Sequence, residues 1–222
     1  MKLSNDTLTV LKNFSEINSG LQFKKGKTIR TISTARSIMA EAVVNDEFPQ
    51  DFCVHDLNNF LAVHSISKDT EVNFTDSNII FNGNRSVTRY RMTEKKQIVT
   101  PPEKNIVIGT PDVSFDLSKD DYASILKIVS VLSSPNIAIQ SEGDTIDIIA
   151  FDFSDDSANV NSTKIAEGNG KKFKIIFKTE NIKMLPGSYT VQISFKGFVH
   201  FKNTNGTIEY WVASEKDSVT GE

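Results

Sequence analysis

The sequence predicts an α+β protein of two similar domains, each with two helices packed on antiparallel sheets. Three observations lead there. First, LSKDDYASILKIVS at 117–130 repeats LSNDTLTVLKNFS at 3–15, with Ser118 lying 114 residues after Ser4, about half the chain. Second, both copies carry the apolar spacing of an amphipathic helix. Third, each copy is followed by short Ile-, Val-, Phe- and Thr-rich segments broken by Gly, Asn and Asp, the pattern of a β-meander. A chain of 222 residues suits two domains of ordinary size.

The elements follow in order. In the first helix Leu8, Leu11, Phe14 and Ile17 recur on one side, while Asn5, Thr9, Lys12 and Glu16 project on the other. Ser4 supplies its N-cap. In the repeat, Tyr122, Ile125, Leu126, Val129 and Leu132 oppose Lys119, Ala123, Lys127 and Ser130. There Ser118 caps, and Asp121 makes a variant of the capping box. LQFKKGKTIRTIS and NIAIQSEGDTIDIIAFDF then align Gly26 with Gly143 and Ile29 with Ile146, so the hairpin turn repeats as well. Shorter helices are expected at His55–Leu61 and at Glu180–Leu185, the second ended by Pro186-Gly187. Each half closes with strands turning at Asn82-Gly83 and Asn205-Gly206, giving β-α-β-β-β-α-β-β-β twice. The stretch 93–113, with Pro101, Pro102, Gly109 and Pro111, reads as an extended connector, and the domains are placed at 1–104 and 105–222.

Composition narrows the function classes. With 38% hydrophobic residues and fifteen Phe, there is ample material for packed cores. A net charge of −3 provides no global basic field, so any nucleic-acid affinity has to come from local lysines. Cys53 is the only cysteine, which excludes an intrachain disulfide and a thiolate cluster, and the opening MKLSNDTL lacks the apolar run of a signal peptide. Together these point to a reducing, intracellular setting, with no apolar run of membrane-spanning length.

Catalytic chemistry has no constellation. GxGxxG and GxxxxGK[ST] are absent, and His55, His64 and His200 lack zinc-motif spacing. The carboxylates Asp152, Asp155 and Asp156 lack the ligand pattern of an EF-hand and read as a solvated turn. Cys53, inside FCV, reads as a small buried hydrophobe. The expectation is no enzyme, no cofactor and no metal. What remains is Lys12 with Lys119 and Lys127 on the outer faces of the repeated helices. A solvated surface explains any one of them, but repetition lets weak phosphate contacts add.

With its duplicated halves, the opening MKLSNDTLTVLKNFSEINSGLQF, DLNNFL, NIKMLPGSYTV and the C-terminal YWVASEKDS, the chain resembles the bacteriophage DNA sliding clamps, the polymerase processivity factors. The resemblance covers essentially the whole chain. It implies a homotrimer closed into a ring of six domains around duplex DNA, helices inside and sheets outside. Lys12, Lys119 and Lys127 would then face phosphates, with Lys2 and Lys183 as weaker candidates. It implies a subunit boundary pairing strands near Val87, Tyr90 and Met92 with strands near Val160 and Ile165 of the neighbour. It further implies a partner-peptide pocket at Trp211, Ala213, Phe198, Ile106 and Val107, although the sole tryptophan reads equally well as sandwich core. The implied partners are the phage DNA polymerase, a separate ATP-driven clamp loader, and a late-transcription sigma-like factor with its coactivator. The implied location is the host cell cytoplasm. Two other readings remain open on residues alone: a duplicated β-rich virion or tail module, and, least favoured, a metal-dependent hydrolase built on the Asp152 cluster.

Overall fold

The computed structural model describes residues 1–66, 69–104, 106 and 108–221. The chain divides into two compact units, Met1–Asn105 and Ile106–Glu222.

Unit 1 runs α1 (Asn5–Ile17), β1 (Leu21–Phe23), β2 (Gly26–Ile32), β3 (Ile38–Phe48), β4 (Phe52–Val54), α2 (Leu57–Ser65), β5 (Glu71–Phe74), β6 (Asn78–Asn82) and β7 (Val87–Arg91). Its strands lie in the order β4-β1-β2-β3 in one sheet and β5-β6-β7 in another. The expected first strand shrinks to a single reciprocal pair, Met1 and Val72 exchanging N–H···O bonds at 2.7 Å. α1 packs on β3 and α2. It can lie close because Ala40 and Ala42 fill its side of β3 opposite Thr31 and Ile29. Leu11 and Phe14 are fully buried there. Farther along, Phe23 stacks on Phe52 with ring centres 4.4 Å apart, and Phe60 meets Phe81 edge-on at 5.1 Å, the offset geometries aromatic rings favour.

Unit 2 runs β8 (Val113–Leu117), α3 (Lys119–Leu132), β9 (Asn136–Glu142), β10 (Thr145–Phe151), β11 (Asn161–Glu167), β12 (Lys172–Lys178), β13 (Tyr189–Ser194), β14 (Phe198–Asn203), β15 (Ile208–Ala213) and β16 (Val219–Thr220). Its strands order as β8-β13-β14-β15 and as β11-β10-β9-β12-β16. Gly26 and Gly143 hold φ at +114° and +120°, the left-handed region that a side chain disfavours, which is why the aligned turns share a glycine.

Three expectations need correction. Four strands rather than three follow each long helix, β1–β4 after α1 and β9–β12 after α3. The helix expected at Glu180–Leu185 is only a 3₁₀ turn, Thr179–Asn181. Beyond it, tyrosine hydroxyls take over the backbone pairing: Tyr122 donates to Met184 O at 3.0 Å, Tyr189 donates to Leu185 O, and Leu185 N–H donates to Tyr210 Oη at 3.1 Å. Backbone groups satisfied in this way need no i→i−4 bonds, and Pro186 disfavours a helical Leu185. The connector is likewise not extended throughout, since Lys95–Gln97 form a 3₁₀ turn boxed by Glu94 and Gln97.

Candidate nucleic-acid interface and partner surfaces

The two repeated helices begin alike and are secured differently. Ser4 Oγ accepts from Thr7 N at 3.3 Å and Ser118 Oγ from Asp121 N at 3.1 Å. α3 completes its cap locally, Ser118 Oγ donating to Asp121 at 2.6 Å. α1 has Thr7 at that position and borrows an acid from β3: Asp46 accepts from Ser4 N at 2.7 Å and from Ser4 Oγ at 2.8 Å. Burial pushes the Asp46 carboxyl up, but the hydrogen bonds from Thr7 and Ser4 and the charge of Lys27 leave it below its ordinary value.

These caps aim the exposed faces. Lys12 is exposed on α1 beside Asn5, Thr9 and Glu16, and Lys119 and Lys127 are exposed on α3. Lys119 starts α3, with its backbone N–H donating to Ser188 Oγ at 3.1 Å, and Lys127 follows about 12 Å along the axis at ~1.5 Å per residue. Lys2 lies 3.3 Å from Asp69 in a solvent-exposed pair, so part of its charge is already met. Lys183 is half-buried in the irregular segment after the 3₁₀ turn, off any helix.

Of the expected boundary residues, Val87 and Tyr90 lie on β7 and Ile165 on β11, while Met92 and Val160 sit just outside those strands. β7 is last in β5-β6-β7, and β11 is first in its five-stranded sheet. Val87 and Val160 are 70% and 62% exposed, unusual for valines. Ile165 and Met92 are half-buried. Tyr90 points inward instead: its hydroxyl donates to Asp56 O at 2.9 Å, and its ring meets Phe60 edge-on at 6.0 Å.

Trp211 is buried at 8% exposure, but its side chain leaves the strand on the side away from Tyr210 and Val212. On β15, Ile208, Tyr210 and Val212 face the buried interior, and period-two alternation puts Trp211 with Glu209 and Ala213 on the other face. Ala213 pairs with Phe198, and Trp211 with His200, across β14. The imidazole stacks on the indole at 4.7 Å and is held by Gln192 at 3.1 Å and Glu209 at 2.9 Å. Burial lowers the His200 pKa, against the pull of Glu209. Trp211 Nε1 is buried with no hydrogen-bond acceptor among the described residues. Ile106 is half-buried, and Val107 lies outside the described residues. Metal-motif spacing, the test that sets the histidines aside, misses His200; the visible signal for this cluster is HFK opposite EYW in two paired strands.

Elsewhere the chemistry is quiet. Cys53 is buried and burial raises its pKa. Asp152 and Asp155 each accept from the backbone and hydroxyl of a serine two residues on, as solvated turns do.

A family model described as DNA polymerase processivity factor matches residues 4–100. Curated relatives named sliding clamp come from Escherichia phage RB69 and Enterobacteria phage T4. Each is 32% identical over 225 residues, covering 98% of both chains. Vibrio phage KVP40 has another at 28%, covering 97% of this chain and 99% of its own. Among solved structures, A. fulgidus PCNA bound to the C-terminal region of FEN-1 superposes with TM-score 0.69 at 16% identity, covering 96% of each chain. An H. pylori beta clamp gives 0.70 at 11%, with 97% of this chain matched to 65% of that one.

Proposed function

The chain belongs to the sliding clamps, the processivity factors of DNA polymerases, and we propose that it works as a homotrimeric ring closed around duplex DNA. Membership rests on 32% identity to curated phage sliding clamps along 98% of the chain. The same observation supports a non-enzymatic role.

In this reading β7 of one copy meets β11 of the next, because each ends its sheet and has an exposed valine, Val87 starting β7 and Val160 just before β11. Pairing two open edges would extend both ladders and remove a liability from each. α1 and α3 line the hole, where Lys12, Lys119 and Lys127 exchange among phosphates. Positional, sequence-blind contacts of this sort suit sliding, because phosphates carry no sequence information. Lys2 contributes less because Asp69 competes for it, and Lys183 less because it is half-buried. The Phe198, Ala213 and Trp211 face, with Ile106 and Val107, takes a peptide from the phage DNA polymerase. The clamp loader and a late-transcription sigma-like factor with its coactivator would use the same face in turn. The setting is the host cell cytoplasm.

The test is solution mass by light scattering across a dilution series, followed by polymerase processivity on primed circular DNA. A mass near three times 24.7 kDa and processivity that needs a loader are expected. A strict monomer at micromolar concentration would remove the topological mechanism and return the reading to a structural module.

A further inference from the structure

Unit 1 carries its densest group of cations away from α1. The β1–β2 hairpin and the connector enclose a cavity of about 290 Å³ lined by Lys24, Lys25, Lys27, Arg30, Pro102 and Glu103. Gln22 and Arg30 alternate with the buried Leu21, Phe23, Ile29 and Thr31. The cavity therefore opens on the face of the sheet opposite α1 and Lys12, and a duplex lying along the helices would not reach it.

The walls are built rather than incidental. Arg30 has a side chain only 15% exposed, lies 2.9 Å from the Glu41 carboxylate, and donates to Pro102 O at 3.1 Å, tying the connector to the hairpin. Glu103 reaches in between Lys24 and Lys95, accepting from both, and those two ammonium groups hold its carboxyl down at about 2. A carboxylate of the chain itself thus occupies part of the basic cavity. Lys25 and Lys27 are exposed on its lining.

We propose that this cavity docks an acidic, extended segment of a partner protein, and that Glu103 is its built-in competitor. An incoming carboxylate takes the place of Glu103 between Lys24 and Lys95, while neighbouring acidic residues meet Lys25 and Lys27. A carboxylate, that of Glu103, already sits between Lys24 and Lys95, and the match is electrostatic and weakened by salt. The docking lies wholly within unit 1 and does not depend on ring closure.

The test uses the full chain and fluorescence anisotropy with a short fluorescein-labelled Glu/Ser peptide. The same peptide with Gln for Glu and a labelled single-stranded oligonucleotide serve as comparisons. Saturable binding of the Glu/Ser peptide alone is expected. Lys25→Ala combined with Lys27→Ala should weaken it about tenfold, and Glu103→Gln should tighten it by about threefold or more, as removal of a competing charge requires. Unchanged light-scattering mass and circular dichroism would certify the variants. Absent binding, equal binding of the Gln/Ser peptide, or a Glu103→Gln variant that binds no tighter would overturn the proposal. Preferential binding of the oligonucleotide, abolished in the lysine variant, would reassign the cavity to nucleic acid and overturn it equally.

Discussion

Replacing Asp46 with alanine tests how α1 is anchored, because that carboxylate lies 42 positions from the serine it serves. The substitution removes the acceptor for Ser4 N–H at 2.7 Å and for Ser4 Oγ at 2.8 Å. Leaving a partly buried N–H without an acceptor costs about 1–3 kcal/mol. Ser4→Ala removes the N-cap oxygen and should cost about 0.5–2 kcal/mol. Since Asp46 holds the hydroxyl that caps the helix, the double variant should cost less than the sum of the two by about 1 kcal/mol. Native-state hydrogen exchange of the α1 amides reads these costs directly, and α3, capped by Ser118 with its own Asp121 as acceptor, serves as the internal control. Additivity of the two substitutions to within about 0.5 kcal/mol, or an equal shift in α3, would refute the shared anchor. Acid supplies a second check. The folded Asp46 carboxyl lies below its ordinary value of 3.8, so its stabilisation is full above that value and fades as pH falls through the lower folded one. The difference between wild type and Asp46→Ala should shrink in the same window.

The other predictions concern surfaces and one buried imidazole. Exchanging Lys12, Lys119 and Lys127 for alanine should leave the assembled mass unchanged while flattening the salt dependence of duplex association, by up to about 0.9 in log–log slope for each phosphate no longer neutralised; an unaltered slope would remove these lysines from the DNA surface. Val87→Asp or Val160→Asp should shift the trimer–monomer midpoint by about tenfold or more through an unpaired charge at the junction, yet change monomer stability by only about 0.5 kcal/mol, as is usual for exposed positions. For His200 the folded pKa is lowered, so its neutral form favours the fold; that stabilisation is complete above the unfolded value of 6.5 and declines as pH falls toward the lower folded one. Emission from Trp211, stacked on that ring, should titrate with a midpoint below 6.5, and a midpoint above it would mean that Glu209 outweighs burial.

The parts legible in the sequence were those set by local spacing. Leu11, Phe14 and Ile17, like Tyr122, Ile125 and Val129, lie on one side of a helix because of 3.6-residue periodicity, and both sets are buried. Ser4 and Ser118 announced their caps, and Gly26 and Gly143 their turns. Long-range pairing left no such mark. Ile182 and Leu185 carry helical spacing, but Tyr122, Tyr189 and Tyr210 hold that segment open from one helix and two strands. Alternation placed Trp211 and Ala213 on one face of a strand without saying which face was core, and Tyr210 and Val212 decide it. The lysines of KKGK were plain as a string, whereas the Pro102 and Glu103 that turn them into a cavity come about a third of the chain later.

The two strands proposed to meet between copies, β7 and β11, differ in length, in sequence and in the unit that carries them. In the proposed ring an interface between these unlike patches would be head-to-tail, so copies joined through it would all point the same way around, with no two-fold axis across the ring. Its two rims would then be chemically different, one presenting a given loop once per copy and the other never. A partner that recognised a single rim would thereby be told which way along the duplex it faces, so direction of travel would be inherited from the orientation in which the ring was threaded.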